Sequence, residues 1–330
     1  IGGTGSYLYE AGDRQARTYL LHRESDGGGF GMIEIKQVSK SFEKIEAVKE
    51  IDLTIRSQNI FGMLGTNGAG KSTLLRMMAG ILKPQQGEIV IDGQNVWDNP
   101  DVKKRCFYIS DDQFFFPNAT AKDMATFYGR YYMQFDYTRF DEMMNKFGLD
   151  GARKIQTYSK GMKKQLSILI GLCANVSYLF CDETFDGLDP VMRQGIKSIF
   201  AKEIDERELT PIIASHNLRE LEDICDHIGL LHRGGVLLSK ELADLKCNMH
   251  KVQCVFPEDS KVSLYKLFHI LQLNQKGRLI TMTVRENEED IAGKMEGLKP
   301  VYYEVLPLSL EEIFISETEV VGYDIKNLIY

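Results

Sequence analysis

Apolar and polar residues alternate along Met32-Ile33-Glu34-Ile35-Lys36, the period of a half-buried strand, and sustained pattern begins there. Short continuous apolar runs follow at Ile60–Leu64, Tyr178–Cys181 and Pro211–Ala214, each with the length and composition of a buried strand. Amphipathic helical patterns follow Gly70, Gly161 and Pro190. Strands and helices thus alternate from Met32 to about Lys246, which predicts an α/β domain with a mostly parallel sheet. Between Phe114 and Asn175 the texture changes to longer helical patterns rich in aromatics (Phe127, Tyr128, Tyr131, Tyr132, Phe135, Phe140), so a helical insertion is expected over about 114–176. After Lys246 a short α/β pattern recurs over Lys251–Phe256, Val262–Leu273, Arg278–Val284, Glu288–Glu296 and Val301–Val305.

The expected organisation is an α/β domain over 32–246 and a small C-terminal α/β accessory domain over 247–330, two domains being what 330 residues suggest. Residues 1–31 mix glycines with scattered charges and no sustained period, and they lack the apolar h-region of a secretory signal. They are expected to be a disordered or non-native extension, with Met32 as the native start.

Hydrophobic residues make up 43% and charged residues 26%, the balance of a chain that buries a sizeable core. A net charge of −7 argues against a broad basic surface for nucleic acid. No run reaches the roughly 18 apolar residues of a membrane span. The nearest, Ile168 to Cys181, is broken by Asn175 and Ser177. Six cysteines (Cys106, Cys173, Cys181, Cys225, Cys247, Cys254) show no C-x-x-C pair and no metal-ligand rhythm, so reduced structural thiols in a cytosolic compartment are expected.

The chemistry lies in short segments. Gly65-Thr66-Asn67-Gly68-Ala69-Gly70-Lys71-Ser72-Thr73 matches G-x-x-x-x-G-K-[ST] between an apolar strand and a helical run. Glycines let backbone N–H groups wrap a phosphate, and the next helix offers its N-terminus to the same anion. Lys71 can reach the β- and γ-phosphates, and the Ser72 hydroxyl is placed for Mg²⁺. A chance match is expected only about 0.01 times in a chain of this length, so a nucleoside triphosphate is the expected ligand. The run Ser177–Cys181 ends in Asp182-Glu183, two carboxylates at the C-terminal end of a buried strand, where an α/β sheet places its ligand. Asp182 is expected to hold Mg²⁺ through water, and Glu183 to polarise the water that attacks the γ-phosphate.

Tyr158-Ser159-Lys160-Gly161-Met162 precedes a helix and lies about twenty residues before Asp182; Asp186-Gly187-Leu188-Asp189-Pro190 and Ser215-His216 come after it. With these segments in this order, the chain resembles the ATP-binding cassette of ABC transporters over about residues 33–246. The resemblance implies a P-loop NTPase fold with a RecA-like core and a helical subdomain. It further implies ATP and Mg²⁺ as cofactors, a second ATP-binding subunit (the same chain or a related one) and an integral-membrane permease. It makes Ser159 and Gly161 the signature loop that reaches the partner's ATP, Asp189 the D-loop aspartate, His216 the switch histidine and Phe42 the ring that stacks on adenine.

Three positions depart from the family pattern. The signature reads Tyr-Ser-Lys-Gly-Met rather than Leu-Ser-Gly-Gly-Gln, and Thr184 replaces the usual proline. Asp111, six before Pro117, stands where the family has Gln or Glu as metal and water ligand; being a methylene shorter, it implies slower or differently coupled hydrolysis. The tail Leu308-Ser309-Leu310-Glu311-Glu312-Ile313-Phe314 resembles the ending of ATPase subunits of efflux-type transporters with a separate permease. The expectation is therefore an ATPase peripheral on the cytoplasmic face of the cell membrane, driving export. The rival is a soluble ATPase of the same superfamily acting on ribosomes or nucleic acid, which the single cassette and acidic balance disfavour.

Overall fold

The computed structural model describes residues 31–257 and 263–320, the side chains of 317–320 excepted. The expectation for the N-terminal extension therefore falls, but for Gly31, outside the described residues. Strands β1 (Met32–Phe42) and β2 (Ile45–Arg56) form a hairpin whose alternate residues Ile33, Ile35, Leu53 and Ile55 are buried, as the alternation at Met32 predicts. β3 (Phe61–Leu64) runs through residues 65–70 into α1 (Lys71–Met78). β4 (Gln86–Ile91) and β5 (Gln94–Asn95) then join the hairpin in an antiparallel sheet of order β2-β1-β4-β5.

That second sheet is an addition to the mostly parallel one expected. One signal for it stands in the sequence: Asp92-Gly93 between β4 and β5 has φ of 51° and 76°, the turn whose twist suits neighbouring antiparallel strands.

α2 (Pro100–Lys103) precedes β6 (Cys106–Ile109). Three helices of the insertion follow: α3 (Ala121–Gly129), α4 (Tyr137–Lys146) and α5 (Lys160–Cys173). The chain continues through β7 (Tyr178–Asp182), α6 (Pro190–Arg207), β8 (Thr210–Ser215), α7 (Leu218–Ile224), β9 (His227–His232), β10 (Gly235–Glu241) and α8 (Leu242–Cys247). The central sheet has the order β10-β9-β3-β8-β7-β6, parallel except for β10.

Both faces of this sheet are covered, which is why its strands read as unbroken apolar runs. In β7, Tyr178 and Phe180 point into the core shared with α1 and the antiparallel sheet. Leu179 and Cys181 point into the core shared with the helices of the insertion and with α6 and α7. Among the insertion's aromatics, Phe135 and Phe140 are buried, whereas Tyr131 is 64% exposed and Phe114, just before α3, is 70% exposed. Arg139 on α4 makes a bidentate ion pair with Glu203 on α6, tying the insertion to the sheet's covering helix.

The C-terminal residues form β11 (His250–Val255), β12 (Ile270–Lys276), β13 (Leu279–Val284), α9 (Glu288–Leu298), β14 (Tyr302–Pro307) and α10 (Leu310–Val320). Their antiparallel sheet, in the order β12-β13-β11-β14, packs Val252, Cys254, Met282 and Val284 against Ile291 and Met295 of α9. The stretch expected over Val262–Leu273 has a single 3-10 turn at Leu264–Lys266 before β12, and Val262 itself lies outside the described residues. α10 leaves this small core: Leu310, Ile313 and Phe314 are buried with Leu221, Ile224 and Leu245 in the larger one.

All six cysteines are free, and five are buried, with Cys247 exposed. Among the described residues no helix is long and apolar enough to cross a membrane.

Candidate functional site

The site gathers at the C-terminal ends of the parallel strands, where backbone and side chains of successive loops converge. Residues Gly65–Gly70 turn the chain from β3 into α1. Gly70 has φ of 104°, and a Cβ there would stand 2.3 Å from the Ala47 carbonyl oxygen, so both dihedral and space demand glycine. A Cβ at Gly65 would meet the Leu231 carbonyl oxygen at 2.6 Å. The Lys71 ammonium, 5% exposed, donates to the carbonyls of Gly65 (2.6 Å) and Thr66 (3.2 Å) and pairs with Glu183 Oε1 at 3.2 Å. These bonds fold the lysine back over its own loop, with Asn67 and Gly68 at the loop's exposed tip and Ala69 buried behind it.

Ser72, in the first turn of α1, donates its hydroxyl to Asp182 Oδ1 at 2.8 Å. The other oxygen of Asp182 accepts from the Tyr108 hydroxyl at 2.8 Å, and Arg76 Nε donates to that hydroxyl at 3.2 Å. Burial and the Asp182 charge push the Tyr108 phenol up to about 12, so it remains a donor across the physiological range. Asp182 is 1% exposed and thus keeps both oxygens satisfied, as a buried carboxylate must.

Glu183 follows with φ of 47°, a left-handed conformation that a non-glycine residue adopts rarely. Its carboxylate bridges Lys71 and His216, whose Nδ1 is 2.8 Å from Oε2, and the His216 backbone N–H donates to the same oxygen at 3.3 Å. His216 is delivered by the turn between β8 and α7, which Ser215 and Glu220 brace through a 3.0 Å hydrogen bond. Thr184, at the family's proline position, is buried and donates to the Asp182 carbonyl at 3.2 Å.

The structure therefore brings Lys71, Ser72, Asp182, Glu183 and His216 into one site as two contact sets, Ser72 on Asp182 and both Lys71 and His216 on Glu183, joined through the neighbouring pairs Lys71-Ser72 and Asp182-Glu183. Asp111 joins it indirectly: it pairs with Lys164 Nζ at 3.7 Å, and Lys164 donates to the Glu183 carbonyl at 2.6 Å. Ser159 caps α5, accepting from the Met162 N–H at 3.1 Å, and Asp189 caps α6, accepting from the Met192 N–H at 2.9 Å. Phe42, at the end of β1, is 45% exposed under the Lys40 ammonium rather than packed in a core. Sequence reasoning missed Tyr108, Arg76 and Lys164. The first sits in a run, Cys106–Ile109, that reads as plain core strand, and the last in a lysine-rich turn that reads as solvated surface.

Residues 48–186 match the ABC transporter family. The chain is 32% identical over 286 residues to the ABC transporter ATP-binding protein YtrB of Bacillus subtilis, covering 87% of this chain and 98% of that one. It is 31% identical over 209 residues to the bacitracin transport ATP-binding protein BcrA of Bacillus licheniformis, covering 62% of this chain and 68% of the relative. A solved structure of the ATP-binding subunit of an ABC transporter superposes with a TM-score of 0.59 at 22% identity, over 65% of this chain and 91% of that one, a likeness of fold. The order of phosphate loop, capped helix and acidic strand end is thus carried by a chain that matches one such protein almost end to end, and it belongs to the ATP-binding proteins of ABC transporters, ATPases whose hydrolysis of ATP is coupled to transport.

Proposed function

We propose that this chain closes with a second ATP-binding subunit, a copy or a related chain, around two molecules of Mg·ATP. The pair then drives a separate integral-membrane permease in export from the inner face of the cell membrane. The observation that carries the reading is the convergence of two contact sets at one site, Ser72 on Asp182 and both Lys71 and His216 on the adjacent Glu183. Lys71 supplies positive charge to the β- and γ-phosphate oxygens, and backbone N–H groups of residues 65–73 wrap them, with Thr73 in the first turn of α1. Glu183 accepts the proton of the attacking water, and His216, held on the same carboxylate, lies beside the γ-phosphate.

The donor set fits Mg²⁺. Ser72 Oγ and Asp182 Oδ1 are hard oxygens 2.8 Å apart, and among the described residues no group of three or more His, Cys, Asp or Glu side chains gathers to hold a metal. An ion with few protein ligands that shares phosphate oxygens and water is what such a pair suits. When bound, Mg²⁺ neutralises charge on the β- and γ-oxygens. Asp111 reaches this region only through the Lys164 link and is assigned an outer role on water or metal.

Ser159 and Gly161 act on the partner's nucleotide. Within this chain a Cβ at Gly161 would meet nothing closer than 3.9 Å, so the position is open to an approaching partner's nucleotide. Asp189 is exposed two residues after Gly187, whose carbonyl oxygen would stand 4.0 Å from a Cβ at Gly161, and the exposed Phe42 is available to stack on adenine. Phe114, Phe116 and Tyr131 form an exposed aromatic surface on the insertion that suits a permease segment. The cassette is assigned to 32–246, its helical part to about 114–176 and the accessory domain to 247–330. The bacitracin transport relative supports a transport role, and the tail Leu308–Phe314 supports the export direction.

The test is Glu183→Gln. Removing only the proton acceptor is expected to cut turnover about 10²-fold or more while ATP binding persists. Normal turnover would end the base assignment.

A further inference from the structure

Lys164 lies on α5, five residues beyond the Ser159 cap, and is 1% exposed. Its neighbours Lys160 and Lys163 remain in contact with solvent, so burial of this one ammonium is specific. A buried ammonium must find acceptors for its three donors, and all of those it finds belong to the loops of the site. It donates to the carbonyls of Glu183 (2.6 Å) and Asp186 (2.9 Å), and it lies 3.7 Å from Asp111 Oδ1 and 3.8 Å from Asp186 Oδ2.

Glu183 needs such support. Its φ of 47° is a strained conformation, which persists only where the surroundings over-determine it. The Glu183 N–H donates to the Ala214 carbonyl at 2.9 Å, which fixes one side of the residue. The Lys164 ammonium on its carbonyl fixes the other. With both backbone polar groups held, the side chain is aimed at Lys71 and His216.

We propose that Lys164 is a positioning residue for ATP hydrolysis: it clamps the strained Glu183 backbone so that the carboxylate is held on the nucleotide side, and it ties that backbone to Asp111 and Asp186. The proposal rests on Glu183 being the base. Lys164 touches no reacting atom and acts only through Glu183.

The test is Lys164→Met, which keeps the apolar stem and deletes the donors, measured alone and in the Glu183→Gln background. Turnover is expected to fall about 10²-fold, the cost of misplacing a catalytic group by about 1 Å. ATP affinity, read by titration with a fluorescent ATP analogue, is expected to stay within about twofold, because the loss falls on the chemical step. In the Glu183→Gln background Lys164→Met should cost little more, since two residues that act as a unit are not additive. Unchanged turnover, a fall in affinity that matches the fall in turnover, or full additivity with Glu183→Gln would each overturn the proposal. Normal turnover in Glu183→Gln alone would instead strike the base assignment, which separates the two failures. Should Lys164→Met not fold, Lys164→Gln keeps a shorter, uncharged donor group: turnover between wild type and Glu183→Gln is expected, and wild-type turnover would refute the clamp.

Discussion

The ion pair between Arg139 and Glu203 gives a stability prediction that can be worked from the structure. Arg139 Nη1 donates to Glu203 Oε2 at 2.8 Å, and Nη2 donates to Oε1, so the guanidinium grips the carboxylate with two parallel bonds. The side chains are 15% and 5% exposed, and the pair joins α4 of the insertion to α6. Arg139→Met leaves Glu203 with one further cation, Arg207 Nε at 3.7 Å, whose side chain is 33% exposed. Removing one partner of a buried pair costs about 3–5 kcal/mol, because the remaining charge stays desolvated. With Arg207 offsetting part of that, we expect about 3 kcal/mol. At about 2–4 °C per kcal/mol, the transition that melts this packing should fall by roughly 6–12 °C in a calorimetric scan. Replacing both partners, Arg139→Met with Glu203→Leu, should recover most of the loss, since apolar packing of similar volume commonly matches a buried ion pair. A single variant that melts within about 2 °C of wild type, or a double variant no better than the single, would refute the reasoning.

Two further outcomes are expected. Gly70→Ala places a Cβ 2.3 Å from the Ala47 carbonyl oxygen at φ of 104°; relieving about 1–2 kcal/mol of dihedral strain and this clash moves the loop out of its phosphate-wrapping shape, so ATP affinity by calorimetric titration should fall about fivefold or more. Unchanged affinity would contradict the loop's geometry. Burial pushes the Asp226 carboxyl, which accepts from the Ile60 N–H at 3.0 Å, above its ordinary value. A carboxyl raised on folding contributes its stability below the unfolded pKa and loses it as pH rises through the folded one. Asp226→Asn, which keeps the acceptor, should therefore match wild type near pH 4 and gain in melting temperature toward pH 7; a gain that shrinks with rising pH would contradict this.

The parts of the protein that were legible in its sequence share a physical reason. The strands β3, β7 and β8 are covered on both faces, so they appear as continuous apolar runs. The phosphate loop is visible because backbone crowding at Gly65 and Gly70 and the reach of Lys71 admit few residue types. What was not legible depends on tertiary placement. Tyr108 reads as one more aromatic in a strand until the fold sets its hydroxyl on Asp182. Lys164 looks like its neighbours Lys160 and Lys163, which keep contact with solvent, until α5 turns it under Glu183. The antiparallel sheet hides because β1 and β4, neighbours in space, are far apart in the chain. The docking of α10 into the larger core is equally silent, since Leu310, Ile313 and Phe314 would serve any core at helical spacing.

Coupling of this ATPase to a membrane permease is tested by purifying the tagged chain from detergent-solubilised membranes of its native host, with the bound chains identified and weighed against it. A polytopic membrane protein is expected in stoichiometric amount. Recovery of ribosomes or nucleic acid with no membrane partner would contradict that coupling.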